Sequence, residues 1–230
     1  MPNKPRSGDR QPRFAHAPIV TVGATVLALA LTSCSDSGPR APEAPTLDPA
    51  TSAQLRAKAL SDAAAMAGLT DPPEVAVIRE TSPFDYDQTL VDCLHDGGYK
   101  AEYDVSGGIR VDLGTGTDPV PADVLNQYLL ATYVCMAQYP LDEIYLAPLS
   151  AGQKSAQADY YLEELPECLE GFGIAFATPP SREVFLANFD SVGAWTPYES
   201  AQISAAQWEE VVTACPQTVP PEQLWDRPES

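Results

Sequence analysis

Four cysteines between residues 93 and 215 limit the fold of this chain more than any other feature. Each of them, Cys93, Cys135, Cys168 and Cys215, falls on the apolar stripe of a predicted amphipathic helix. An even number of cysteines in an exported chain indicates disulfides, and four cysteines allow three connectivities. A zinc site is not expected, because the sequence has no C-x-x-C spacing and His95 is the one histidine beyond the N-terminal region.

A short duplication favours one of the three connectivities. The stretches "DCLHDGGY" and "ECLEGFGI" share an acid, a cysteine, a leucine, a glycine five residues after the cysteine, and then an apolar or aromatic residue. A second helix with a cysteine follows each stretch, 42 residues later in the first case and 47 in the second. We expect the bridges Cys93–Cys135 and Cys168–Cys215; the nested pairing, Cys135–Cys168 with Cys93–Cys215, is the alternative. Each disulfide would stabilise the fold by about 4 kcal/mol, because closing a loop of this length lowers the conformational entropy of the unfolded chain.

Hydrophobic periodicity predicts an α+β fold in which helices pack with short β-hairpins. The first predicted helix runs from Thr51 to a glycine cap at Gly68, and its apolar face comprises Leu55, Ala59, Ala63 and Met66. A β-branched run at residues 75–78, bounded by prolines, predicts a strand. A helix with Leu90 and Cys93 on one face follows this strand.

Further signals place a hairpin and more helices. Apolar and polar residues alternate on both sides of Gly107 and Gly108, which predicts a hairpin turn. The next helix lies between Pro121 and Pro140. Ser150 and Gln153 form a capping box at the start of another helix, which Pro166 is expected to kink or restart. Two shorter helices follow at residues 180–189 and 204–217, separated by a loop.

The N-terminal region has the pattern of an export signal. Its first eighteen residues carry four basic residues and one acidic residue, and an apolar run follows from Ile19 to Leu31. As a helix this run would rise about 20 Å, less than the roughly 30 Å of a bilayer core. The pattern therefore predicts a signal peptide over residues 1–33 and not a transmembrane anchor.

The end of the apolar run resembles the lipobox of bacterial lipoproteins. Leu31, Thr32, Ser33 and Cys34 occupy its four positions. The resemblance implies that the Cys34 thiol receives a diacylglycerol group, that cleavage occurs before Cys34, and that the freed amine is then acylated. Two or more acyl chains anchor a protein stably, so we expect an extracytoplasmic protein held to the cell membrane by lipid. The alternative is a chance cysteine close to an ordinary cleavage site.

Charge and composition set the expectations for the mature chain. Removal of residues 1–33 takes away four basic residues and one acidic residue, which leaves 197 residues with a formal charge of −22. Such a chain repels nucleic acid and anionic headgroups, so no nucleic-acid partner is expected. The charge serves solubility in one interpretation and attracts cations or a cationic partner in another. A proline-rich tether is predicted over residues 34–50, then a helix and hairpin unit over 51–149 and a helical unit over 150–230 of the same compact body.

Several residues are candidates for chemistry. Asp85 and Asp87 in "FDYDQTL" match the D-x-D-x-T-L of haloacid-dehalogenase-like phosphatases, but no buried strand precedes them. As a calcium loop the stretch lacks the turn glycine and the final glutamate. Asp85 is better explained as a helix cap, and His95 as an exposed helix residue. We therefore predict no catalytic residues, no metal site and no cofactor.

Two loop aromatics remain as weak binding candidates. Trp195 and Tyr198 in "AWTPY" either line a groove or close the bottom of a small core. Motifs such as "CLHDGGY", "CMAQYP" and "CLEGFG" resemble a group of uncharacterised actinobacterial lipoproteins, which implies the same membrane address and supplies no site residues. We expect a non-enzymatic binding or interaction module of the cell envelope that contacts an envelope protein. A small-ligand carrier with a cleft between the units is the alternative, and an envelope hydrolase is the third possibility.

Overall fold

The computed structural model describes residues 41–114, 116, 119–192 and 195–227, and these residues form the predicted α+β fold. Its helices are α1 Pro49–Met66, α2 Tyr86–Asp96, α3 Ala122–Gln138, α4 Ala151–Asp159, α5 Leu165–Gly171, α6 Arg182–Val192, α7 Trp208–Ala214 and α8 Pro221–Leu224. Strands β1 Lys100–Tyr103 and β2 Ile109–Asp112 pair antiparallel, with Ala101 opposite Val111. Gly107 and Gly108 turn this hairpin with φ of 97° and 88°, as the sequence predicts.

The duplicated motif has the same local structure in both copies. Gly98 follows α2 with φ 86°, and the next N–H, of Tyr99, donates to the Leu94 carbonyl at 3.0 Å. Gly173 follows α5 with φ 70°, and the Ile174 N–H donates to the Leu169 carbonyl, also at 3.0 Å. Glycine is required there because side chains disfavour positive φ. At each helix end, the residue after the glycine, Tyr99 or Ile174, thus packs against the core.

The disulfides join Cys93 to Cys135 and Cys168 to Cys215. This is the preferred pairing, and the nested alternative is wrong. The first bridge connects α2 to α3, and the second connects α5 to the residue that ends α7. Each bridge therefore fixes the position of one pair of helices.

Three buried clusters form the core of the compact unit Gly38–Ser230. One cluster lies in the C-terminal half, residues 150–227, and includes Leu165, Leu169 and Val211. The other two lie in the N-terminal half, residues 41–149, around Leu94 and around Ala63. The unit contains its own cores and both disulfides, which is what a domain needs to fold independently.

Specific contacts join the two halves of the unit. Trp208 donates its indole N–H to the Ser106 hydroxyl at 3.0 Å, and Gln217 donates to the Ser106 carbonyl at 2.8 Å. Side chains from the N-terminal half, including Phe84 and Tyr145, also pack against the C-terminal cluster. The hairpin turn is therefore held by the C-terminal half.

Three local features differ from the sequence-based expectation or refine it. Met66 is 69% exposed, although it was expected on the apolar face of α1; the helix buries Ala63, which was expected on that face, and Ala64, which was not. A π-helical turn, Tyr160–Glu164, joins α4 to α5, and Pro166 lies in the first turn of α5. Since proline has no N–H, the widened turn accommodates it and a new helix starts.

Part of the predicted tether contacts the body. Asp48 caps α1 by accepting hydrogen bonds from the N–H groups of Ala50 and Thr51. Ala44 packs against the C-terminal cluster, and Pro42 lies so close to Gly152 that an added Cβ there would be 3.1 Å from it. The remainder of the predicted tether before residue 41, the signal peptide and Cys34 lie outside the described residues.

Candidate functional site

Residues 74–78 form a largely exposed segment without regular secondary structure, here called the open segment. It leaves the compact unit after Pro73, whose carbonyl accepts from the Tyr133 hydroxyl at 3.4 Å. It rejoins the unit where the Ile78 N–H donates to the Gln138 carbonyl at 2.8 Å. Only Val75 turns inward, to the cluster around Ala63. The segment therefore crosses the surface, fixed at both ends.

The strand predicted at residues 75–78 is wrong: these residues have no regular secondary structure, and no strand pairs with them in the described part of the chain. The nearest ladder contact is a single parallel bridge between Thr81 and Leu141. Neither the N–H nor the carbonyl of Ala76 or Val77 has a hydrogen-bond partner among the described residues. Val77 is 44% exposed and Ile78 60%. Unpaired backbone groups beside exposed apolar side chains can accept an added strand.

The charged residues that follow the open segment are held by neighbours. Arg79 donates to Asp85 and to the Thr89 hydroxyl, both at 2.7 Å, and lies 5.8 Å from the Tyr139 ring centroid. Glu80 forms an ion pair with Arg56 of α1. These contacts fix the C-terminal end of the segment and leave its middle open to solvent.

Asp85 occupies a structural position before α2. The Ser82 N–H and hydroxyl both donate to it, at 2.8 and 2.7 Å. Burial acts to raise the pKa of Asp85, but the Ser82 hydrogen bonds and Arg79 outweigh it, so the pKa lies below its ordinary value. Its backbone carbonyl accepts from the Thr89 N–H and hydroxyl. Asp85 thus stabilises the turn into the helix, although no side-chain cap bond to α2 forms.

Asp87 and His95 have different surroundings. Burial raises the pKa of Asp87. The His95 Nε2 lies 2.5 Å from the Ala101 carbonyl, a contact that ties α2 to the hairpin. In the described ranges no three histidine, cysteine or acidic side chains are grouped to hold a metal ion. The structure therefore does not bring the predicted chemical candidates into one arrangement.

Tyr198 belongs to the core of the C-terminal half more than to a groove. Its hydroxyl donates to the Cys215 carbonyl at 2.5 Å, and its ring meets Trp208 edge to face at a centroid distance of 6.2 Å. Burial raises the pKa of Tyr198 to about 12. Trp195 is half-buried nearby in sequence. A binding role for these two aromatics stays a prediction.

Sequence reasoning missed the open segment as a site. It identified the β-branched run, but it assigned no partner strand. That missing partner was the available signal, since a β-run with no second run to pair with must cross the surface unpaired.

Comparisons with protein-family models, with curated proteins and with solved structures find no match. Within the described residues, no helix is long and apolar enough to cross a membrane.

Proposed function

We propose that this chain is a lipid-anchored extracytoplasmic protein that acts as a non-enzymatic interaction module at the cell envelope. The observation that supports it most is the open segment, where unpaired backbone and exposed Val77 and Ile78 lie side by side. The four residues that resemble a lipobox, ending in Cys34, support the membrane address. Trp195 and Tyr198 are a weaker second candidate contact.

The partner contributes an extended strand. The Ile78 and Arg79 N–H groups both donate to the Gln138 carbonyl, at 2.8 and 3.4 Å, whereas the Val77 N–H has no partner among the described residues. The Val77 backbone therefore offers hydrogen bonds to an added strand, while the exposed β-branched side chains provide apolar contact. Exposed Asp71 precedes the open segment and exposed Glu74 begins it, which favours a partner strand with a basic residue.

Site-specific crosslinking in the native envelope tests this function. A photo-reactive phenylalanine at Ile78 is expected to give a discrete adduct with one envelope protein. The same group at Val184 of α6, which is 50% exposed, is the control for non-specific capture. Equal adducts from both positions would contradict the proposal.

A matched pair of variants tests the backbone contact. Val77→Pro removes the unpaired Val77 N–H, so we expect at least a fivefold loss of the Ile78 adduct. Val77→Ala retains the N–H and is expected to keep most of it. Equal adducts from the two variants would show that strand pairing is not the mode of binding.

A further inference from the structure

The N-terminal half contains a recess of about 190 Å³, and no residue of the open segment lines it. Its walls come from α1, from the C-terminal end of α3 and from the chain that follows α3. The apolar lining includes Ala59, Leu60, Met136, Leu141 and Leu146. Most of the wall thus offers dispersion contacts and no charge, which is typical of small-molecule sites.

Tyr86 provides a hydrogen-bond donor in this wall. Its ring packs against the cluster around Leu94, and its hydroxyl has no hydrogen-bond partner among the described residues. Burial, together with the nearby charge of Asp87, raises the pKa of Tyr86 to about 12. The hydroxyl therefore stays protonated at physiological pH and can donate to an acceptor.

The charges around the recess disfavour an anion. Arg56 lines it, but its guanidinium is already held by Glu80 and Glu143. One cation against two carboxylates leaves a net negative charge at this end. The negative charge of Asp87 adds to it, because Asp87 is close enough to Tyr86 to raise the pKa of its hydroxyl. A ligand with a carboxylate or phosphate would meet repulsion here.

We propose that this recess binds a neutral compound of about one ring that carries a carbonyl or ether oxygen, with the Tyr86 hydroxyl donating to that oxygen. The size follows from volume, because an apolar cavity of about 150 Å³ accepts benzene and this recess is somewhat larger. The site goes beyond the interaction function, because it uses neither the open segment nor Cys34. It also lies within the N-terminal half, whereas the sequence suggested a cleft between units.

Binding to the compact unit, residues 38–230, tests the proposal by calorimetry or protein-detected NMR. Acetophenone is the probe, with ethylbenzene as the control without an oxygen acceptor and benzoate as the anionic control. We expect acetophenone to bind at least tenfold more tightly than benzoate and about fivefold more tightly than ethylbenzene. Benzoate binding as tight as acetophenone, or no acetophenone binding up to its solubility, would overturn the proposal.

Three variants locate the site. Tyr86→Phe is expected to weaken acetophenone binding about fivefold and to leave ethylbenzene binding unchanged. Ala59→Leu fills the recess and should abolish binding of both compounds. Ala57→Leu makes the same change on an exposed part of α1 and should bind normally. Circular dichroism establishes that each variant is folded. Acetophenone binding that survives Ala59→Leu in a folded protein would place the ligand elsewhere and refute the assignment.

Discussion

Single residues with unusual backbone conformations fix both helix ends of the duplicated motif. Gly98 and Gly173 lie at equivalent positions, and both have positive φ. A side chain at either position would strain the backbone without meeting any neighbouring atom within 4 Å. The cost of substitution is therefore conformational and not steric.

Gly173→Ala is expected to lower the free energy of unfolding by about 1 kcal/mol, because alanine disfavours the left-handed region. Gly171→Ala, two residues earlier at the end of α5, is the matched control and should be neutral or slightly stabilising. Urea denaturation of the compact unit measures both. A Gly173→Ala variant as stable as the control would contradict this explanation of the motif.

Buried tyrosines predict a loss of stability at alkaline pH. Burial raises the pKa of Tyr86 and Tyr198 to about 12, and raises that of Tyr160 as well. In the unfolded chain a tyrosine ionises near pH 10. Between about pH 10 and 12 the folded state therefore holds more of these protons, so the tyrosine contribution to the free energy of unfolding should be constant from neutral pH to about pH 10 and fall above it.

Tyr198→Phe tests this contribution. The variant loses the hydrogen bond to the Cys215 carbonyl, which should cost about 1 kcal/mol at pH 7. It also removes one titrating group, so its stability should fall less steeply above pH 10. Urea titrations at several pH values measure both effects, and an unchanged alkaline slope would show that Tyr198 is not protected from ionisation.

At the level of elements, each disulfide joins two helices that are far apart in the sequence. Cys93–Cys135 closes a separation of 42 residues and Cys168–Cys215 one of 47. Replacing either pair by alanine should lower the free energy of unfolding by about 4 kcal/mol in the chain-entropy description. Urea denaturation of the two double variants measures this. A change below 1 kcal/mol for either pair would mean that core packing alone fixes those helices.

Elements set by local signals could be predicted from sequence. The capping box at Ser150 and Gln153, the hairpin turn and the disulfide pairing all depend on residues close in sequence or on a repeated motif. The exposure of Met66 could not be predicted, because it depends on which neighbour covers α1. The recess was missed for the same reason, since α1 and α3 meet there only in the folded chain.

At the scale of the whole molecule, we propose a compact body attached to a lipid anchor at Cys34. Three residues of the tether predicted over 34–50, namely Pro42, Ala44 and Asp48, contact that body. The C-terminal part of the predicted tether therefore belongs to the body.

Cys34→Ala tests the anchor in cells. The variant should lose labelling by a fatty-acid analogue, because the thiol that receives the lipid is absent. Cys93→Ala with Cys135→Ala retains Cys34 and is the control; it should still be labelled. Undiminished labelling of Cys34→Ala would refute the anchor.

Lipidation of Cys34 and both disulfides can be read together from the mass of the intact protein purified from its native membrane. We expect the mass of residues 34–230 plus acyl groups on Cys34, less four hydrogens for two disulfides. Peptide mapping should then recover Cys93 with Cys135 and Cys168 with Cys215. A product without acyl mass, or one with free thiols among these four cysteines, would contradict the account.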